Sequence, residues 1–411
     1  MNLPFFFAKR IAIHEKKTFS SFIVRIAIIA ITLSVAVMII GTAITRGYQK
    51  EISHKFYDCW GQIYVTHFLP DPNSFLNDDV MDNDTALVNK MQQIPNVKSV
   101  NAYRIQSCLL KAKDEIEGVV LKGMMNANGF SSFQEYYTQG RPIQFNPAHY
   151  SNDVVISKTI SDKQHIQLGD KVLLYFLNKN EFQPKVRKVN ICAIYNTGIE
   201  DFDKSIILCD AKLINSVNND SLTVIQGYEI HVKDNGQTLE TENEIFNACL
   251  EPPLQTYTLE KRFSNVFSWL GMMKMNEKII IFIMLLIAII NMITALLILI
   301  LERTQMVGIL KSLGMSNFKI QQIFIYSSLF IVTTGIILGT SLGVGLCLLQ
   351  QNVGFINLDE STYYIKQVPI RLELSTIVWI DVGTIVICIV LLLLPSYIIR
   401  TISPTKALRF N

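Results

Sequence analysis

The 411-residue sequence predicts an α-helical membrane protein with four transmembrane helices plus a large α+β periplasmic domain on helical stalks. Three observations carry this prediction. Half of the residues are hydrophobic and only 17% are charged, a balance typical of chains with a large membrane-embedded part. Four runs, Ile26 to Thr45, Ile279 to Leu301, Ile323 to Gln350 and Ile377 to Ile399, are long and apolar enough to cross hydrocarbon, which takes about 20 residues. Finally, the segment 46–277 alternates short apolar runs with turn residues and is long enough to bury a core of its own.

The first element is the segment 1–20. "PFFFAKRIAIHEKK" has phenylalanines on one side and lysines on the other, so it reads as a helix lying in the inner headgroups rather than as a cleaved signal. The first transmembrane helix follows at 21–45, and its helical pattern continues through "GYQKEISHKFYDCW" as a stalk. In the domain 46–277 the segments "QIYVTHF", "NAYRIQSCLLKA", "GVVLKGM", "DVVIS", "KVLLYF", "KVNICAIY", "KSIILC" and "GYEIHV" read as strands. Helical patterns fall at 79–93, 131–138, 157–164, 211–217 and 238–249, and residues 259–276 read as a second stalk. The second transmembrane helix is 278–301, followed by a loop at 302–320, the third helix at 321–350, a loop at 351–375, the fourth helix at 376–399 and a tail at 400–411.

Flanking charge orients these elements. Lys9, Arg10, Lys16, Lys17 and Arg25 precede the first span; Arg303, Lys311 and Lys319 lie in the 302–320 loop; Arg400, Lys406 and Arg409 follow the last span. The 351–375 loop sets Lys366 and Arg371 against Asp359, Glu360 and Glu373. The positive-inside rule therefore places both termini and the 302–320 loop in the cytoplasm and the 46–277 domain outside. Asp381 breaks the fourth run beside Trp379, near one end, where an interfacial position explains it better than an ion site.

Several chemistries are excluded. A net charge of +3 without a basic block interleaved with aromatics gives no nucleic-acid surface. No phosphate-binding glycine loop, zinc-protease helix or nucleophile elbow is present, and the six histidines are scattered. No metal site and no catalytic residue is expected. Of seven cysteines, Cys347 and Cys388 lie in spans, leaving Cys59, Cys108, Cys192, Cys209 and Cys249 outside. That odd set allows a Cys192 to Cys209 bridge between neighbouring strands, or buried thiols throughout.

The most informative stretch is "ERTQMVGILKSLGMSNFKI", residues 302–320. In a helix from Arg303 to Leu313, Met306, Ile309, Leu310 and Leu313 form one apolar stripe. Gly314 is placed to end that helix in a left-handed conformation, and Ser316 to cap the next. Such a stripe lies on a membrane or in a groove of a soluble partner. Small residues recur in the spans as well, at Gly335, Gly339 and Gly343 and at Ala27, Ser34 and Gly41, which lets helices approach closely within one chain or between two.

The stretch 302–320 resembles the coupling loop of the permease superfamily that includes FtsX, MacB and the lipoprotein-releasing LolC/LolE branch, with its E-R-x-x-x-[IV]-G-I-L-[KR]-x-L-G pattern. Matching positions are Glu302, Arg303, Val307, Gly308, Ile309, Leu310, Lys311, Leu313 and Gly314. The first span with its flanks is similar to the releasing branch, as are "INLDESTYYIKQVPIRLE" with its Y-Y-I-x-x-[LV]-P motif and the tail "SPTKALRFN".

The resemblance implies a permease subunit of an inner-membrane, ATP-driven complex, itself without catalytic residues or cofactor, coupled to a separate ATPase dimer of the LolD kind that binds ATP and magnesium. It implies that residues 302–314, Met306 included, dock on that ATPase, that a second permease completes the complex, and that lipoprotein is the cargo, extracted by mechanotransmission. Efflux of the MacB kind and regulation of the FtsX kind are the alternatives. Exposing an acyl chain to water costs about 0.8 kcal/mol per CH₂, so lipidated cargo needs a continuous apolar path. Ile39, Ile40 and Ile44 with Met272, Met273 and Met275 are placed to line one, or to serve as ordinary lipid-facing or helix-packing residues. The hairpin around Asn180, Glu181, Phe182, Gln183 and Pro184 corresponds to the family's docking point for a periplasmic carrier of the LolA kind, without its longer insertion; a plain turn is the other reading.

Overall fold

The structure, a computed structural model, describes residues 19–68, 79–112, 115–177, 183–359 and 363–396. Nearly all of the 1–20 segment, the 400–411 tail, and Asn180, Glu181 and Phe182 of the hairpin lie outside the described residues. Two compact units divide the chain: a helical one reaching to Gln49 and comprising also Leu270–Asn357 and the chain from Gln367, and an α+β one of Lys50–Trp269 with Leu358–Lys366.

Among the described residues four helices, Phe19–Trp60, Ser264–Glu302, Asn317–Val353 and Leu374–Ser396, each contain a stretch long and apolar enough to cross a membrane; the helical unit takes the first as far as Gln49 and the second from Leu270. Their helical spacing turns Ala27, Ile31 and Val35, Met292, Leu296 and Leu299, Ile331, Val332 and Ile336, and Cys388 with Leu392 into one buried cluster. The glycines of the third span serve packing inside the chain. A Cβ added to Gly339 would lie 2.7 Å from the Thr32 carbonyl oxygen, and one on Gly335 2.8 Å from Ile31. Thr32 uses this proximity to donate to the Gly335 carbonyl at 3.2 Å. Ala27 and Ser34 are buried as well. Asp381 accepts from the Thr340 hydroxyl at 2.9 Å, tying the fourth helix to the third, while its neighbour Trp379 stays exposed.

The α+β unit carries β1 (Ile63–His67), β2 (Met81–Asp82), β3 (Val97–Ala112), β4 (Glu115–Met124), β5 (Tyr137–Gly140), β6 (Asp153–Ser157), β7 (Lys171–Phe176), β8 (Lys185–Tyr195), β9 (Ile206–Asp210), β10 (Val224–Ile225), β11 (Gly227–Val232) and β12 (Leu254–Thr258). The order β12-β1-β11-β3 forms an open sheet covered by the helices Thr85–Gln92 and Thr238–Cys249. Beyond it, β3-β4-β9-β6-β8-β7 returns to β3 and closes a ring, because β7 pairs with both β3 and β8. Leu110, Leu121, Ile156, Leu174, Phe176, Ile191 and Ile207 fill that ring. β2 and β10 form a separate pair.

All eight strand segments read from the sequence lie on observed strands, and Asp84, Ser157 and Asp210 cap three of the expected helices by accepting from Ala86, Ile160 and Lys212 N–H. Several features differ: the expected helix at 79–93 is helical only over Thr85–Gln92, and Met81–Asp82 within it form β2. The pattern at 131–138 is a 3₁₀ turn, Ser132–Tyr136, running into β5. Residues 200–205 are helical and 254–258 form an edge strand; both are too short, and β12 too polar, to show a period. The second stalk is not continuous: a short helix, Leu259–Arg262, capped by Thr258, ends at Phe263 before the long helix starts at Ser264. The cysteines are thiols. Cys192 on β8 and Cys209 on β9 are separated by β6, which rules out a bridge.

A buried charge cluster sits among these strands. Lys122 on β4 lies 2.7 Å from Glu229 on β11, donates to the Cys59 carbonyl and stands 4.2 Å from the Trp60 ring centre. Burial lowers the Lys122 pKa. Burial also pushes Glu229 upward, but Lys122 and His231 outweigh it and hold the carboxyl below its ordinary value.

Candidate functional site

The elbow between the second and third long helices is built by two backbone events. The second helix ends at Glu302, where Arg303 leaves helical geometry, and a new helix runs Thr304–Ser312. It stops in a Schellman turn: Gly314, at φ +85°, donates to Lys311 and Met315 donates to Leu310, each at 3.0 Å. Ser316 then occupies the N-cap of Asn317–Val353, but its hydroxyl makes no capping bond, so only the position and not the cap contact agrees with the sequence reading.

The expected stripe is split between two faces. Leu310 is buried with Val307 in the core of the helical unit, Met306 is half-buried against it, and Gly308 is buried. Ile309 and Leu313 point the other way and are 49% and 78% exposed, together with Phe318 at 65%. The outward face is therefore Ile309, Leu313 and Phe318, flanked by exposed Glu302 and Lys319 and half-buried Arg303 and Lys311. Burial holds the Lys311 ammonium below its ordinary pKa. Phe318 escaped the sequence reading because it belongs to the next helix, outside the counted period. A short helix between two breaks, with an apolar pair outward, can lay that pair on a membrane or in a groove of a soluble partner.

The other predicted residues fare unevenly. Met272 and Met275 are exposed, Met273, Ile40 and Ile44 half-buried, but Ile39 is 2% exposed and packs inside the helical core against Gly343. Ile39 is therefore removed from the apolar path, because the side of the helix that carries it is already occupied. Gln183 and Pro184 are exposed at the foot of β8. Among the described residues no group of histidine, cysteine and carboxylate side chains could hold a metal ion.

Comparison with known proteins follows this layout. A family of FtsX-like permease C-terminal regions matches residues 278–404, which include the elbow. A family of MacB-like periplasmic core domains matches residues 26–245, more than half of the chain. The lipoprotein-releasing system transmembrane protein LolC of Neisseria meningitidis serogroup B is 20% identical, with 97% of this chain and 96% of that one covered. LolC of Buchnera aphidicola subsp. Acyrthosiphon pisum is 24% identical over 95% and 94%. LolE of Haemophilus influenzae is 20% identical over 99% of both. With four apolar helices among its described residues, an FtsX-like C-terminal region and a MacB-like core domain, this chain belongs to the FtsX/MacB family of ABC transporter permeases.

Proposed function

We propose that the chain is the permease subunit of an ATP-driven complex that extracts lipoproteins from the outer leaflet of the inner membrane for delivery to the outer membrane. A separate ATPase dimer docks on the elbow, and a second permease, identical or related, completes the pair. The observation that carries this reading is the outward apolar pair Ile309 and Leu313 on a helix fixed at both ends. An isolated surface helix gains nothing from holding two large apolar side chains in water, whereas a groove that buries them contributes roughly 1.5–3 kcal/mol for each. Similarity to lipoprotein-releasing proteins along nearly the full chain favours lipoprotein as the cargo over a small amphiphile.

Work done by the ATPase enters at 302–320. It travels along the second helix toward the α+β domain, which lies in the periplasm, while both termini and the elbow face the cytoplasm. Cargo never crosses the bilayer. Met272, Met273 and Met275 with Ile40 and Ile44 supply adaptable apolar surface along its route. A soluble carrier then receives it at the domain, with the 177–188 hairpin as the candidate contact.

The test is co-purification in mild detergent followed by ATP hydrolysis. Lipoprotein should copurify and stimulate hydrolysis. Stimulation by small amphiphiles alone would assign efflux instead, and a complex indifferent to both, whose depletion leaves lipoprotein sorting intact, would assign a regulator.

A further inference from the structure

The Tyr-Tyr-Ile motif between the third and fourth spans has no part in the elbow, yet its geometry is specific. At its base the loop is closed by the bridge between Asn357 and Gln367. The chain that follows is fastened to the first helix. Arg371 N–H donates to the Ala43 carbonyl at 3.0 Å, Arg46 pairs with Glu373, and Gly47 lies so close to Pro369 that a Cβ there would sit 2.2 Å from its carbonyl oxygen.

The tip, Leu358–Lys366, belongs to the α+β unit. There the Lys55 ammonium donates to the Tyr364 carbonyl at 2.9 Å and to the Thr197 carbonyl at 2.8 Å. The Tyr364 ring stands edge-on to Trp269, with centres 6.5 Å apart. Ile365 is buried. Tyr364 itself is held at φ +61°, a conformation that side-chain-bearing residues rarely adopt and that persists only where the surroundings impose it.

We propose that this loop is a strap, and that Lys55 is the positioning residue through which the third and fourth spans act on the α+β domain. What the coupling serves rests on the permease function proposed above. The second span reaches the domain through its own helix. The third has no such continuation, since Asn317–Val353 ends at Gly354 and the chain passes into the loop. A displacement of the third span at the elbow is then delivered by the strap to Lys55, and through it to the Thr197 turn that precedes the helix Glu200–Ser205. The two limbs of the elbow thus act on one domain by two routes. The motif is explained in the same terms: Tyr364 supplies the turn and the ring, Ile365 the buried anchor, and Pro369 the surface that fits Gly47.

The experiment uses the full permease with its ATPase in lipid, loaded with a triacylated lipoprotein. It compares the parent with Lys55→Met, Lys55→Arg and a chain in which Leu358–Lys366 is replaced by a glycine-serine linker of equal length. Release per ATP should fall roughly five-fold in Lys55→Met and in the linker chain while hydrolysis itself is retained, and Lys55→Arg should restore most of it. Unchanged release per ATP in both variants overturns the strap. Hydrogen exchange decides the case independently of cargo. In Lys55→Met the peptides over 357–368 and 197–206 should both exchange faster, and unaltered exchange in both overturns the strap even if the parent proves to release no lipoprotein, an outcome that would by itself sink only the permease reading.

Discussion

Glu229 and Lys122 form a pair that is almost wholly out of water, at 1% and 2% side-chain exposure. Removing one partner leaves the other charge uncompensated, so Glu229→Gln should cost about 3–5 kcal/mol in urea denaturation followed by tryptophan fluorescence. Replacing both with apolar residues of similar size should recover most of that loss. The pair also sets an acid limit. Because the folded carboxyl titrates below its ordinary value of 4.5, its contribution is complete above that pH and is lost as pH falls from 4.5 toward the depressed folded value. Acid denaturation curves of the parent and Glu229→Gln should therefore converge as the pH drops below 4.5. Nothing in the sequence marks these two residues as partners: "GVVLKGM" and "GYEIHV" read as ordinary strands, each with one charge, and only the strand order brings the charges together. The third-span glycines were legible because their repeat is itself the packing device. Gly339→Leu would drive its side chain into Thr32 and Val35, and the expected loss is about 1–3 kcal/mol, read as a lowered melting midpoint in detergent.

The elbow helix joins a face that holds it to a face left exposed, the docking face under the proposed function, and substitutions should separate the two. Ile309→Asp and Leu313→Asp should abolish capture of the ATPase while leaving the melting midpoint near that of the parent. Val307→Asp, buried in the helical core, should lower the midpoint as well. If Leu313→Asp still captures the ATPase, the outward face is not the contact. Gly314→Ala should cost about 1–2 kcal/mol, because only glycine adopts the turn at φ +85° without strain. Sequence periodicity located this helix to within one residue at either end, and the glycine located its stop. It could not divide the stripe, because Met306, Ile309, Leu310 and Leu313 share a side only until a neighbour is present. The core of the helical unit takes Leu310 with Val307 and turns Ile309 and Leu313 outward.

At the scale of the whole chain, hydrocarbon imposes a requirement strong enough to be visible in composition alone, which is why all four spans and the α+β segment between the first two could be read in order. The orientation inferred from flanking charge has a direct check. A cysteine placed at Gln305 should resist an impermeant maleimide in intact spheroplasts and react after lysis; reaction in intact spheroplasts would reverse the topology. What composition could not supply was the way the domain closes on itself, since the pairing of β7 with both β3 and β8 is a property of strand order and not of any one segment.

The sixteen residues of β3 extend this to the domain's energetics, because one end of the strand belongs to the open sheet and the other to the ring. A single seam stitched through two cloths cannot be unpicked from one alone: peeling either layer strips ladder bonds from the other. Heating the domain should accordingly give one calorimetric peak rather than two. A chain folding this domain would then have no half-built form in which to linger, because neither layer is complete without the strand it shares with the other.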